Sequence, residues 1–190
     1  MDKNFIDDQK FEGVDFSANG LTKGDYENCE FVNCILTGTN LSDINFVECT
    51  FVNCDMAMSK LANTAFKDVS FKACKLIGLQ FDLCNKFLFQ VNFDGCQLNL
   101  SSFYKVNLTK TIFNKCQLQE VDFVEANLGK THFKDCDLQG AIFENTILEN
   151  ADFRSSYNFS IDPEKNRVKK AKFCLQGLAG LLDKYDIEIE

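Results

Sequence analysis

The sequence predicts an all-β solenoid, a four-sided coil that turns a corner every five residues. Three observations predict it. Nine phenylalanines (Phe11, Phe31, Phe51, Phe71, Phe93, Phe113, Phe133, Phe153 and Phe173) stand twenty residues apart, except for one gap of twenty-two between Phe71 and Phe93. Within each twenty, every fifth residue from 11 to 81 is large and apolar, and the beat resumes from Leu88 to Phe153; all 29 beats are Phe, Leu, Tyr or Met. The position two before the beat is usually small or β-branched, as at Thr39, Val69, Val91, Ser101 and Ala126. Helices repeat at 3.6 residues and simple strands at two, so neither explains a beat of five. Four corners of five close a coil of twenty, and a strict long period marks a repeat architecture.

Along the chain, residues 1–10 precede the beat and are assigned to an N-terminal cap, with Phe5 and Ile6 covering the open end of the first coil. Residues 11–154 form the solenoid. In an extended pentapeptide the beat and the residue two before it share one side. Large and small side chains therefore fill the interior, and the other positions face water. The register slips by two residues at 84–88, with Leu88 expected on the new beat. The slip reads either as an insertion tolerated in a corner or as a protruding contact carrying Phe87 or Phe89. Beyond Phe153 the beat falls on Asn158 and Pro163, so residues 155–172 are an irregular last coil or an excursion. Residues 173–190 are expected to close the end. Leu175, Leu178, Leu182 and Tyr185 follow helical spacing, and Ile187 and Ile189 alternate with acids like a short strand. Gly177 and Gly180 weaken that helix, so tertiary packing must hold it.

Eight of ten cysteines sit two before a beat, and Cys34, Cys54, Cys74, Cys96, Cys116 and Cys136 stack in one column. The C-x4-C spacings Cys29/Cys34 and Cys49/Cys54 could suggest a metal. However, one face of a flat ladder cannot wrap a tetrahedral ion, and a buried thiol packs as a small apolar group. No metal and no cofactor are expected. The formal charge of −8 disfavours direct binding to a nucleic-acid backbone and suits a basic protein partner. The charge is uneven. Residues 1–60 carry eleven acids and four bases, residues 61–150 ten and nine, and residues 151–190 seven of each. No apolar run has the length of a membrane-spanning helix, and no leader pattern opens the chain, so a cytoplasmic protein is expected. The one histidine, His132, sits one before a beat and so faces outward, with no catalytic constellation around it. An enzyme is not expected.

Segments such as Thr39-Asn40-Leu41, Val121-Asp122-Phe123, Ala126-Asn127-Leu128 and Ala151-Asp152-Phe153 resemble the A(D/N)LXX signature of the pentapeptide-repeat proteins. The resemblance covers 11–154 and implies a right-handed quadrilateral β-helix. The ending Leu181-Leu182-Asp183-Lys184-Tyr185-Asp186-Ile187-Glu188-Ile189-Glu190 resembles the C-terminal helix and strand of the Qnr and MfpA subgroup. That resemblance implies a homodimer joined through Leu175, Leu178, Leu181, Leu182, Tyr185, Ile187 and Ile189. It also implies a rod that mimics duplex DNA, binds DNA gyrase or topoisomerase IV and relieves fluoroquinolone action. Two departures stand against carrying this over: the only interruption is two residues long, and the charge is concentrated at one end. Two functions are weighed, an interaction scaffold with an unidentified partner and a DNA-mimicking topoisomerase binder.

Overall fold

A computed structural model describes residues 4–188. The chain winds as a four-sided β-solenoid of short parallel strands: β1 (Asn4–Asp7), β2 (Lys10–Glu12), β3 (Gly24–Glu27), β4 (Glu30–Val32), β5 (Asn45–Val47), β6 (Thr50–Val52), β7 (Ala65–Lys67), β8 (Val69–Lys72), β9 (Val91–Asp94), β10 (Ile112–Asn114) and β11 (His132–Lys134). One face carries β1-β3-β5-β7, and the next carries β2-β4-β6-β8-β9-β10-β11. The other two faces, and the first face beyond β7, are joined by single parallel bridges such as Ile35↔Asp55, Ser102↔Asp122 and Asn107↔Asn127. Pairs are offset by twenty residues, and by twenty-two across the insertion, as at Phe71↔Phe93 and Lys75↔Gln97.

The five-residue beat becomes geometry through the corner. The residue two after most beats adopts a left-handed backbone, as at Asn28, Asn33, Asn53, Asn63, Lys110 and Lys130. Glycine, asparagine and aspartate tolerate that region best, which explains their frequency there. The corner returns the next residues to extended backbone, and their amides bond the adjacent coil: the Glu30 amide donates to the Gln9 carbonyl at 2.9 Å and the Asn33 amide to the Val52 carbonyl at 2.9 Å.

Inside, the phenylalanine column stacks face to face. Successive rings from Phe11 to Phe173 lie 4.6–5.4 Å apart and within 16° of parallel. Rings of neighbouring columns meet edge-on, as Phe113 meets Phe123 at 6.2 Å and 82°. These are the two arrangements that an aromatic quadrupole favours. Phe31 through Phe153 are buried; Phe11 and Phe173, at the ends of the column, are half-buried.

Three expectations are corrected. Residues 4–10 are not a separate cap. β1 pairs with β3 in register, placing Ile6 beside Tyr26, so the beat starts one place earlier than Phe11. Phe5, next to it in an extended strand, necessarily points outward and is 64% exposed.

At the insertion, Leu88 is not on the beat. It is exposed with φ of 57°, and Phe89 takes the interior place, 6.4 Å from Phe66 and 6.3 Å from Phe81. The bulge needs a left-handed residue, and the position after it buries the larger ring. Phe87 protrudes, with the Lys67 ammonium 5.6 Å from its ring centre.

The C-terminal segment forms 3-10 helices, Leu175–Leu181 and Asp183–Tyr185, and Ile187 and Glu188 are not in a strand. Asp186 is left-handed, which interrupts the extended backbone that a strand through Ile187 would need. Ile189 lies outside the described residues.

Residues 155–172 form the last coil rather than an excursion. Tyr157, Arg167 and Lys172 bridge to Asp137, Ile147 and Asp152 at the regular offset. Phe159 and Ile161 supply the buried apolar groups that Asn158 and Pro163 cannot.

Candidate interaction surface

The interior leaves no room for chemistry. Each ladder thiol is buried and donates to the carbonyl of the phenylalanine one coil below: Cys34 to Phe11 (3.4 Å), Cys54 to Phe31 (3.3 Å), Cys74 to Phe51 (3.4 Å), Cys96 to Phe71 (3.4 Å), Cys116 to Phe93 (3.6 Å) and Cys136 to Phe113 (3.4 Å). Ser59, Thr64, Ser101, Thr131 and Ser156 make the same bond from the same slot, to Leu36, Leu41, Leu76, Leu108 and Phe133 at 2.6–3.0 Å. Where the slot holds Cys, Ser or Thr, its side chain satisfies a buried carbonyl, which packing alone does not require; Val69, Val91 and Ala126 fill the same slot without a donor. The recurrence of Cys, Ser and Thr at this position is the sequence signal for the bond. Burial pushes the Cys29, Cys34 and Cys84 thiols up, and that of Cys49 up to about 12. No group of three or more His, Cys, Asp or Glu side chains among the described residues could hold a metal.

Function must then lie outside, and two exposed apolar regions stand out. The first is the bulge, where Leu83, Phe87 and Leu88 are exposed. The second is the C-terminal end. The first 3-10 helix lays its glycines on the last coil. A Cβ on Gly177 would lie 2.7 Å from the Phe159 ring and one on Gly180 2.1 Å from the Phe159 carbonyl oxygen, so only glycine fits at either position. The Ile161 amide donates to the Gly180 carbonyl at 2.8 Å. Lys184 ties the second 3-10 helix down through Asp162 at 2.9 Å and Glu164 at 2.5 Å; the Glu164 contact leads in raising the lysine pKa.

The glycine face covers the coil, and of the leucines only Leu181 packs inward. Leu175 (79%), Leu178, Leu182, Tyr185 and Ile187 are exposed. Of the seven predicted end residues, six lie among the described residues, and five of these are turned to solvent.

The chain belongs to the pentapeptide-repeat family: the family described as the pentapeptide repeat region matches residues 24–87 and 86–157. Nothing among curated proteins matches the chain. Similar solved structures include HetL, a pentapeptide repeat protein involved in heterocyst differentiation regulation from the cyanobacterium Nostoc sp. strain PCC 7120. It is 15% identical over 90% of this chain and 88% of that chain, with a TM-score of 0.54. A trypsin-treated form of QnrB1, a plasmid-mediated fluoroquinolone resistance protein, is 19% identical over 98% of this chain and 100% of that chain, with a TM-score of 0.47. At these identities the likeness is one of fold. A pentapeptide-repeat solenoid is an interaction scaffold and not an enzyme. No helix among the described residues is long and apolar enough to cross a membrane.

Proposed function

We propose that the protein is a cytoplasmic homodimeric scaffold, joined through residues 173–190, that presents its acidic first coils to a basic protein surface. The observation that carries this reading is the outward cluster of Leu175, Leu178, Leu182, Tyr185 and Ile187 at one end of the rod. An apolar patch of that kind marks an interaction site. Pairing C-terminus to C-terminus hides it and sets the two acidic thirds at opposite tips. Nine coils at about 4.8 Å each make a rod of roughly 40 Å, so the tips are about 80 Å apart, many Debye lengths at physiological salt. Pairing the other ends would set a net −7 against a net −7.

At about 0.5 M salt, where contacts between exposed charges are screened, Leu175→Asp with Leu182→Asp should give a folded monomer by sedimentation equilibrium. A wild-type monomer at high micromolar concentration would refute the end-to-end dimer. The basic surface of a type II topoisomerase is one partner to test, because the sequence from Leu181 to Glu190 resembles the Qnr and MfpA ending. A gyrase supercoiling assay, with and without fluoroquinolone, decides that choice. Protection that is lost in the monomeric variant supports gyrase, and no effect rules it out.

A further inference from the structure

One corner of the rod carries a charge pattern that the fold does not require. It runs between the β1 face and the β2 face and holds one exposed residue per coil. Before the insertion these are Asp8, Asn28, Glu48 and Asp68; Gln90 follows in the coil of the insertion; after it come Lys110, Lys130, Asn150 and Lys170. Eight of the nine are left-handed, a backbone that glycine or asparagine adopts at less cost than lysine or glutamate. Gln90 marks the centre and donates to Asp68 at 3.2 Å.

The sequence of charges is antisymmetric about that centre. Counting outward from Gln90, Asp68 answers Lys110, Glu48 answers Lys130, Asn28 answers Asn150 and Asp8 answers Lys170. A two-fold axis through Gln90, perpendicular to the rod, would set each acid of one copy against a lysine of the other at every level where charge occurs. We propose that this corner is a self-recognition edge, on which a second copy of this chain docks side by side and antiparallel.

Three further observations point to a second copy and not to another partner. The six charged residues of the corner form no ion pair among the described residues. Elsewhere on the rod Lys75 pairs with Asp55, Lys105 with Glu125 and Lys165 with Glu144 across neighbouring coils. Flanking groups that would oppose a like charge in the pair are already neutralised at home: Asp152 by Arg154 at 2.7 Å, Glu149 by Arg167 at 2.7 Å and Lys10 by Glu12 at 2.9 Å. Finally, the exposed Phe87 and Leu88 sit at the insertion, on the β1 face beside the centre of the edge. An antiparallel pair keeps the β1 faces of both rods on one side, so the two bulges meet at the axis and bury their apolar groups. A parallel pair would set acid on acid along half the edge. A uniformly basic partner would be repelled by the lysine half, and a polyanion by the acidic half. The edge leaves the C-terminal end free, so it does not depend on the end-to-end dimer.

The test is zero-length carbodiimide cross-linking of the full-length protein, with peptide mass spectrometry. Asp8 and Lys170 stand eight coils apart, roughly 40 Å within one chain, and an end-to-end dimer keeps them just as far apart. An Asp8–Lys170 cross-link therefore arises only from the antiparallel edge. We expect it in the covalent dimer, falling about tenfold at about 0.5 M salt, where the Debye length is near 4 Å.

Glu48→Lys/Asp68→Lys alone, or Lys110→Glu/Lys130→Glu alone, should abolish it. An equimolar mixture of the two variants, and the chain carrying all four changes, should restore it. Absence of the cross-link from the wild-type protein at high micromolar concentration overturns the proposal. So does its survival in either double variant, or failure of the mixture to recover it while circular dichroism shows both variants folded.

Discussion

The coils before the insertion and those after it share one interior and differ outside. Across the two extra residues the phenylalanine column continues, with Phe71 and Phe93 5.4 Å apart and 11° from parallel. The slot bond also survives: Cys96 reaches Phe71 with an offset of 25 residues in place of 23. Yet the β1–β3–β5–β7 sheet stops at the insertion, and that face continues as single bridges. At one corner the charge changes sign. The interior thus tolerates a local change of register because each coil answers only to its neighbours. The surface uses the same event to become asymmetric. Fold and partner choice are written in different positions of the same five-residue unit.

The sharpest way to break this comparison is to truncate the column on both sides of the insertion. Phe51→Ala and Phe113→Ala should each cost roughly 3–5 kcal/mol, the range for emptying a buried Phe site, and the two should be alike. Phe11→Ala, at the half-buried end of the column, should cost clearly less. Unequal losses at 51 and 113 in chemical denaturation would mean that the two halves do not share a core.

Alkali offers a second test. The Cys49 thiol is raised from an ordinary 9.0 to about 12, and the Tyr26 hydroxyl from 10.0 to about 12, in both cases with desolvation as the leading cause. A raised pKa means that the unfolded chain loses these protons first. Stability from them is whole below pH 9 and is lost as pH climbs from about 9 to 12. Denaturant midpoints between pH 7 and pH 11 should fall accordingly. In the native protein at pH 8 a thiol reagent should label the half-buried Cys174 quickly and the nine buried cysteines slowly.

The slot rule predicts a smaller effect. Cys74→Ala removes a donor to the Phe51 carbonyl and should cost about 1 kcal/mol, the worth of a typical hydrogen bond, whereas Cys74→Ser should recover most of it. Equal costs for the two would reduce the slot to a question of volume.

Deleting Lys86 and Phe87 should let Leu88 fall on the beat, twenty residues from Phe66. This removes a left-handed leucine, and the unfolding free energy from denaturant titration should rise by about 1 kcal/mol. An unfolded product would show that the insertion is required. Thr109→Ala, on the exposed surface, should stay within about 0.5 kcal/mol.

The sequence carried most of the interior. Twenty-eight of the 29 beats are buried or half-buried, because apolar side chains at a fixed period have one place to go. Leu88 is the exception because it lies in the bulge, where local backbone, not register, selects the inward residue. Ile6 was legible as the residue twenty before Tyr26, but the polar stretch around it hid the beat. Which face of the C-terminal segment covers the last coil is not legible from the leucine spacing. Here Gly177 and Gly180 approach Phe159 more closely than any side chain would allow. The charged corner is hard to see in the sequence because most outward positions are polar or charged. Its signal lay at residues twenty apart, with acids before the insertion and lysines after it.

Because each coil bonds only to the coils beside it, the rod has a definite response to being pulled by its ends. Load would reach the edge coils first, since no strand spans the length to share it. Once the C-terminal 3-10 helices are detached, coils should peel away singly. Each would release twenty residues, or about 70 Å of extended chain, and the coil holding the insertion a slightly longer step. A force–extension trace of this molecule would therefore be a sawtooth of nearly equal teeth, with one tooth out of step marking residues 84–90.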